Sequence, residues 1–179
     1  MKKLMMLLTA AALTFAVSSV ASAQTAQGTL TVNATVSGSI QLVFNNDGSG
    51  VNLTSGAGTS TATLDFGSVS AFGSLGSANI TRTVNGTTSF TVSTPVDVQV
   101  SQSNTASANY KLTAQLGTVD ATNSWSVGGI AVTNGSAALI SATGTYGNNT
   151  SEAIAVTIPQ TTASGTNISN TILFTATAN

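Results

Sequence analysis

The side chains that carry most enzymatic chemistry are absent from this chain or isolated in it. Its 179 residues include no His and no Cys. That removes Ser-His-Asp and Cys-His nucleophile systems and the usual zinc and copper ligand sets. The five acids, Asp47, Asp65, Asp97, Asp120 and Glu152, stand singly along the sequence. No spacing pairs two of them as a glycosidase would require. Lys111 is the sole lysine beyond Lys3, and no motif around it supports a Ser-Lys dyad. The stretch Asn46-Asp47-Gly48-Ser49-Gly50 has the outline of a calcium loop. Calcium takes about six to eight oxygens, several usually from carboxylates, so a stretch with a single carboxylate reads as a turn. One covalent idea remains, a bond from Lys111 to an Asn side chain assisted by a buried acid such as Glu152. An exposed charge on a strand is the simpler reading of Lys111. The inventory points away from an enzyme and calls for no catalytic residue, cofactor or metal.

The elements around these side chains begin with an address. Lys2 and Lys3 precede an apolar run from Leu4 to Val17, and Ala21-Ser22-Ala23 has the small-x-small form of a cleavage site. The run is shorter than the roughly 20 residues of a membrane span. Residues 1–23 are therefore expected to be a cleaved signal peptide, with the mature chain starting at Gln24. That leaves one domain's length with a net charge of −3, from Arg82 and Lys111 against the five acids. No basic patch exists for nucleic acid or anionic lipid. Ser, Thr, Asn, Gly, Ala and Val dominate, a composition suited to pleated surfaces and poor in strong helix formers. Without cysteine, an exported domain relies on its core and its strand pairing.

Strand signals fill the mature chain. From Leu30 to Phe44 every even position is small or apolar, while the odd positions are mostly polar. That is the period-2 mark of strands with one buried face. Strand length divides the stretch at Ser37-Gly38-Ser39 into Gly28–Val36 and Ser39–Phe44. Ala62–Phe66 reads as a strand. Asn85-Gly86 between Ala78–Val84 and Thr88–Val92 reads as a hairpin. Val96 to Val100 alternates after Pro95, whose missing N–H suits a strand start or an edge. Tyr110–Leu116, Trp125–Val127, Ile130–Val132, Ala138–Ala142, Ala153–Ile158 and Asn170–Thr177 complete the set, with turns at Gly128-Gly129 and Asn134-Gly135. About 10–12 short strands with no helical period predict an all-β sandwich.

Several short motifs resemble one family. A signal peptide followed by Gly28-Thr29-Leu30-Thr31-Val32-Asn33-Ala34-Thr35-Val36-Ser37, then Leu64-Asp65-Phe66-Gly67, then the strand pair Thr94–Val100 and Tyr110–Leu116, and a close at Gly165–Thr175, is similar to the spore-coat-protein-U-like family and the related archaic chaperone–usher pilins. That family commonly carries a Cys after the opening strand, where this chain has Ile40. The resemblance implies a single immunoglobulin-like, pilin-like β-sandwich over residues 38–179, with residues 24–37 as an N-terminal donor strand and hinge. It implies a secreted structural subunit of a cell-surface filament, a pilus or fimbria, with a role in adhesion or biofilm. Its partners would be copies of itself, together with a periplasmic chaperone and an outer-membrane usher. Leu30, Val32, Ala34 and Val36 would fill pockets in a neighbouring subunit, and Ser37, Gly38 and Ser39 would be the hinge. Alternation by itself leaves open whether the first strand is donated or kept. A monomeric surface or adhesin domain that binds a carbohydrate or host ligand is the alternative, with Tyr110, Trp125 and Tyr146 as its aromatic candidates. Core or edge packing is the plainer reading of those rings.

Overall fold

The computed structural model describes residues 27–179; the expected signal peptide and the start at Gln24 lie outside the described residues. The fold is all-β, two antiparallel sheets stacked as a sandwich. Nine strands are present among the described residues: β1 Ser39–Asn45, β2 Thr81–Asn85, β3 Ser89–Ser103, β4 Tyr110–Leu116, β5 Ser124–Val127, β6 Ile130–Val132, β7 Ala138–Gly144, β8 Asn149–Pro159 and β9 Ile172–Ala178. The larger sheet runs β1-β3-β8-β5-β6, with β2 also on β3, and the smaller runs β7-β4-β9.

The turns follow their chemistry. Asn85 and Gly86 open the β2–β3 turn, with Gly86 at φ 62°. Gly128 and Gly129, at φ 57° and 79°, make the two-residue turn between β5 and β6, where both positions need positive φ. The long β3 organises the larger sheet. Its face Phe90, Val92, Thr94, Val96, Val98 and Val100 is buried, as period 2 requires of a strand with one side on the core.

Pro95 lies inside β3 rather than at the strand start expected from sequence. On one edge β3 pairs with β8 throughout this region. On the other edge β2 pairs as far as Ser93 and β1 begins at Asp97. Pro95 thus falls in the break between two partners, a local edge where no ladder donor is missed. Gly50 fills the break, and a Cβ there would lie 2.1 Å from the Pro95 carbonyl oxygen. Buried Thr94 ties the loop down, accepting from the Val51 N–H at 2.8 Å and donating to the Asn79 carbonyl at 3.0 Å.

Ala62–Phe66, expected as a strand, makes only an isolated bridge from Thr63 to Ser55. Its alternation is real but serves another purpose. Leu64 and Phe66 pack onto the main core from a loop that also contributes Leu53, Val69 and Leu75. Gly28–Val36, likewise expected as a strand, belongs to no sheet.

The core divides into two clusters. One gathers Phe90, Val92, Leu116, Trp125, Val132 and Val156 with their neighbours. The other holds Val98, Val100, Tyr110 and Leu112.

Candidate functional site

A sandwich of two sheets has two long flanks, and this one treats them differently. Along one flank, β6 of the larger sheet meets β4 and β7 of the smaller. The Leu116 N–H donates to the Thr133 carbonyl at 3.0 Å. The Asn134 side chain bridges to the carbonyls of Leu116 and Gly117 at 3.0 and 3.1 Å, and the Gln115 amide donates to the Asn134 carbonyl at 2.6 Å. Val132 and Leu116 are buried there.

Along the other flank, β1 and β9 are both terminal strands of their sheets, and no ladder joins them. Their apolar side chains face inward: Ile40, Leu42 and Phe44 from β1, Ile172, Phe174 and Ala176 from β9. All six are only half-buried. The Phe44 and Phe174 rings meet edge to face, with centroids 5.3 Å apart.

The backbone shows which polar groups this flank presents. Phe44 donates to the Thr59 carbonyl at 2.9 Å and its carbonyl accepts from Gly58 at 2.7 Å, both on the side away from β3. Alternate residues of a strand aim their backbone groups the same way, so Ile40 and Leu42 also direct theirs off the sheet edge. On β9, Asn179 donates to Asn109, and the Thr171 carbonyl just before the strand accepts from Gly117. The odd positions therefore face β4, and Ile172, Phe174 and Ala176 aim their N–H and C=O outward. Of the residues with half-buried apolar side chains, Phe44 has its backbone groups taken by Gly58 and Thr59, while Ile40 and Leu42 on β1 and Ile172, Phe174 and Ala176 on β9 direct theirs off the sheet edges. Unpaired main-chain groups beside alternate apolar side chains are the two features that a strand added to a sheet edge would engage.

The predicted donor residues lie outside every ladder. Leu30, Val32 and Val36 are 86%, 79% and 74% exposed, and Ala34 is exposed as well. Of the predicted hinge, Ser37 and Gly38 precede the sheet, while Ser39 is the first residue of β1 and pairs with Ser103. A Cβ on Gly38 would lie 2.8 Å from the Asn104 carbonyl oxygen, so close backbone approach calls for glycine there.

The remaining candidates do not converge. Lys111 sits on the outward face of β4, opposite Thr177, while Glu152 faces inward from β8 in the other sheet. Nothing brings them together for a covalent link. Asp47 closes its own turn, accepting from the Ser49 backbone at 2.8 Å and hydroxyl at 2.7 Å, and it accepts from the Ser151 hydroxyl at 2.5 Å. The Ser151 hydroxyl and then the Ser49 donors hold its pKa down at about 2. Burial, and then the charge of Asp47, raise that of Asp97. The aromatic candidates are packing residues. Tyr110 is 1% exposed and packs against Tyr146, the rings tilted at 53° with centroids 5.3 Å apart. Trp125 is buried and donates its indole N–H to Asp120 at 2.8 Å.

Alternation in the sequence marked both edge strands of the open flank as one-sided. It gave no sign that they end their sheets side by side, because sheet order comes from pairings far apart in the chain. No protein-family model, curated protein or solved structure matches this chain.

Proposed function

We propose that this chain is the structural subunit of an extracellular bacterial filament, and that it polymerises when Gly28–Val36 of one copy adds as a strand to the β1/β9 flank of the next. The observation that carries this reading is the match between two unsatisfied features of one molecule. One is a flank with free backbone groups and half-buried apolar side chains on both edges. The other is an exposed segment with Leu30, Val32, Ala34 and Val36 at alternate positions.

Burying the larger of those side chains contributes about 1.5–3 kcal/mol each, in addition to the new ladder. The contact joins different surfaces on the two partners, so it propagates instead of closing into a dimer. The period suits the task, since β9 presents Ile172, Phe174 and Ala176 at the same two-residue spacing. An unfilled flank is also an aggregation hazard, which gives a periplasmic chaperone and an outer-membrane usher something to cover before assembly. Export, a surface location and a part in adhesion or biofilm go with this reading.

The test is a Val32→Asp, Val36→Asp double variant. Surface-sheared material is viewed by negative-stain electron microscopy and run unboiled and boiled on a denaturing gel. Wild type gives thin fibres and an unboiled ladder that collapses to one band. The variant gives secreted monomer with an unchanged β-sheet circular dichroism spectrum and no fibres. Fibres at normal yield from the variant would sink the assignment of the donor strand.

A further inference from the structure

At one end of the sandwich, the β4–β5 and β8–β9 loops enclose a cleft of about 320 Å³. Its walls are braced against each other. The Asn170 carboxamide oxygen accepts from the Thr118 backbone at 3.3 Å and hydroxyl at 3.1 Å, while its nitrogen donates to the Thr118 carbonyl at 3.1 Å. Asp120, the sole carboxylate in the lining, is fully engaged. It accepts from the Thr122 and Asn123 backbone at 3.0 and 2.8 Å, from the Asn123 carboxamide at 3.0 Å and from the Trp125 indole at 2.8 Å. Burial pushes its pKa up, but these donors outweigh burial and hold it at about 2.

Other polar groups of the lining are unspent. Among the described residues, the side chains of Thr122 and Asn167 make no hydrogen bond, and both are exposed. The Asn123 carboxamide oxygen and the Thr162 hydroxyl are buried without a partner, a state that folded proteins seldom leave uncompensated.

The chemistry of the lining selects the ligand. It contains no Lys or Arg, so nothing neutralises an anion. A lone carboxylate already holding four N–H groups is a poor seat for a cation, which needs several free oxygens. Hydroxyl and carboxamide groups beside the apolar side chains of Val119 and Ile168 fit a molecule with many hydroxyls and a C–H face. We propose that this cleft binds an uncharged saccharide of about one or two rings. The cleft is built from loops rather than free strand edges, so this proposal stands apart from the filament reading.

The experiment applies the secreted chain, assembled or not, to an array of immobilised oligosaccharides. Neutral glucose-, galactose-, mannose- and N-acetylglucosamine-based glycans are printed beside sialylated and sulfated ones, with and without EDTA. Wild type is expected to retain at least one neutral glycan, to be displaced by the same sugar free in solution, and to be indifferent to EDTA. Thr122→Ala and Asn167→Ala are each expected to weaken that binding about tenfold. Both residues are exposed, so the melting temperature should not move, and a melting scan of each variant checks this. Four results would each overturn the proposal: no neutral glycan retained, retention of sulfated or sialylated glycans alone, loss of binding in EDTA, or binding untouched by both substitutions.

Discussion

The two flanks of the sandwich are built from the same kinds of residue and end in opposite states. At the β6/β7 flank, β6 is three residues long, yet the sheets are stitched by the Leu116–Thr133 backbone bond and by Asn134, and Leu116 and Val132 are buried. At the β1/β9 flank the strands are seven residues each, yet Leu42, Phe44, Phe174 and Ala176 stay half-buried, and apart from Phe44, which Gly58 and Thr59 cap, no ladder covers the backbone edges. Strand length and hydrophobicity therefore do not decide which side closes. What differs is a side chain able to reach both sheets at once: Asn134 does so on one flank, and no described residue joins the edge of β1 to that of β9 through hydrogen bonds.

Truncation should separate the flanks most sharply. Leu116→Ala empties a buried site on the closed flank, and the expected loss is about 2–5 kcal/mol. For a domain of this size each kcal/mol lowers the melting temperature by roughly 2–4 °C. Leu42→Ala on the open flank removes a side chain already partly in water, so in a subunit held monomeric by Val32→Asp and Val36→Asp the expected loss is about 1 kcal/mol. In the fibre, where the flank is filled, the Leu42→Ala loss should rise toward that of Leu116→Ala. Denaturant unfolding of monomer and fibre checks both. Equal losses for the two variants in the monomer would mean that the flank is already closed within a single copy.

A smaller effect tests the stitch itself. Asn134→Ala strips a donor from the part-buried carbonyl of Leu116 and from the exposed carbonyl of Gly117. An unsatisfied buried acceptor costs about 1–3 kcal/mol, and partial exposure places this variant at the low end. Its loss should be the same in monomer and fibre, since the closed flank takes no part in assembly. A loss that grows on polymerisation would show that the two flanks are coupled.

Much of this architecture was legible in the residues. Asn85-Gly86 and Gly128-Gly129 mark their turns because Gly86, Gly128 and Gly129 sit at positive φ. The buried faces of β3 and β4 and the half-buried face of β9 follow from period 2. Three features were hidden for physical reasons. The alternation from Leu30 to Phe44 runs without a break, but a ladder needs a partner, and only the part from Ser39 finds one in its own copy. Pro95 reads as a strand start because its chain neighbours do not reveal that β2 stops at Ser93 and β1 waits until Asp97. The loop cleft depends on Asn170 meeting Thr118 across 52 positions, a contact that no local pattern announces.

The interior of the larger sheet has one weakness, and it sets the last prediction. Glu152 is 8% exposed and faces inward beside the β5–β6 turn. Its carboxyl lies so near Gly128 that a Cβ there would sit 2.5 Å from Oε2. The Gly128 N–H is given to the Ala153 carbonyl at 2.9 Å, and no hydrogen bond to the Glu152 carboxyl is present among the described residues. Burial therefore raises its pKa. The protonated form is the one the fold prefers, so this group's contribution is fully present below the ordinary carboxyl range and is lost as pH rises through the raised value. Asp47 and Asp120 act in the opposite sense. Their hydrogen bonds hold them at about 2, so their contributions are present at neutral pH and are lost as pH falls through that value. The two effects separate at about pH 3, where Glu152 is protonated and both aspartates remain largely ionised. Glu152→Gln should raise the melting temperature at about pH 7 and leave it unchanged at about pH 3. A variant that gains equally at both values would place the cost of Glu152 in its packing against Gly128 rather than in its charge.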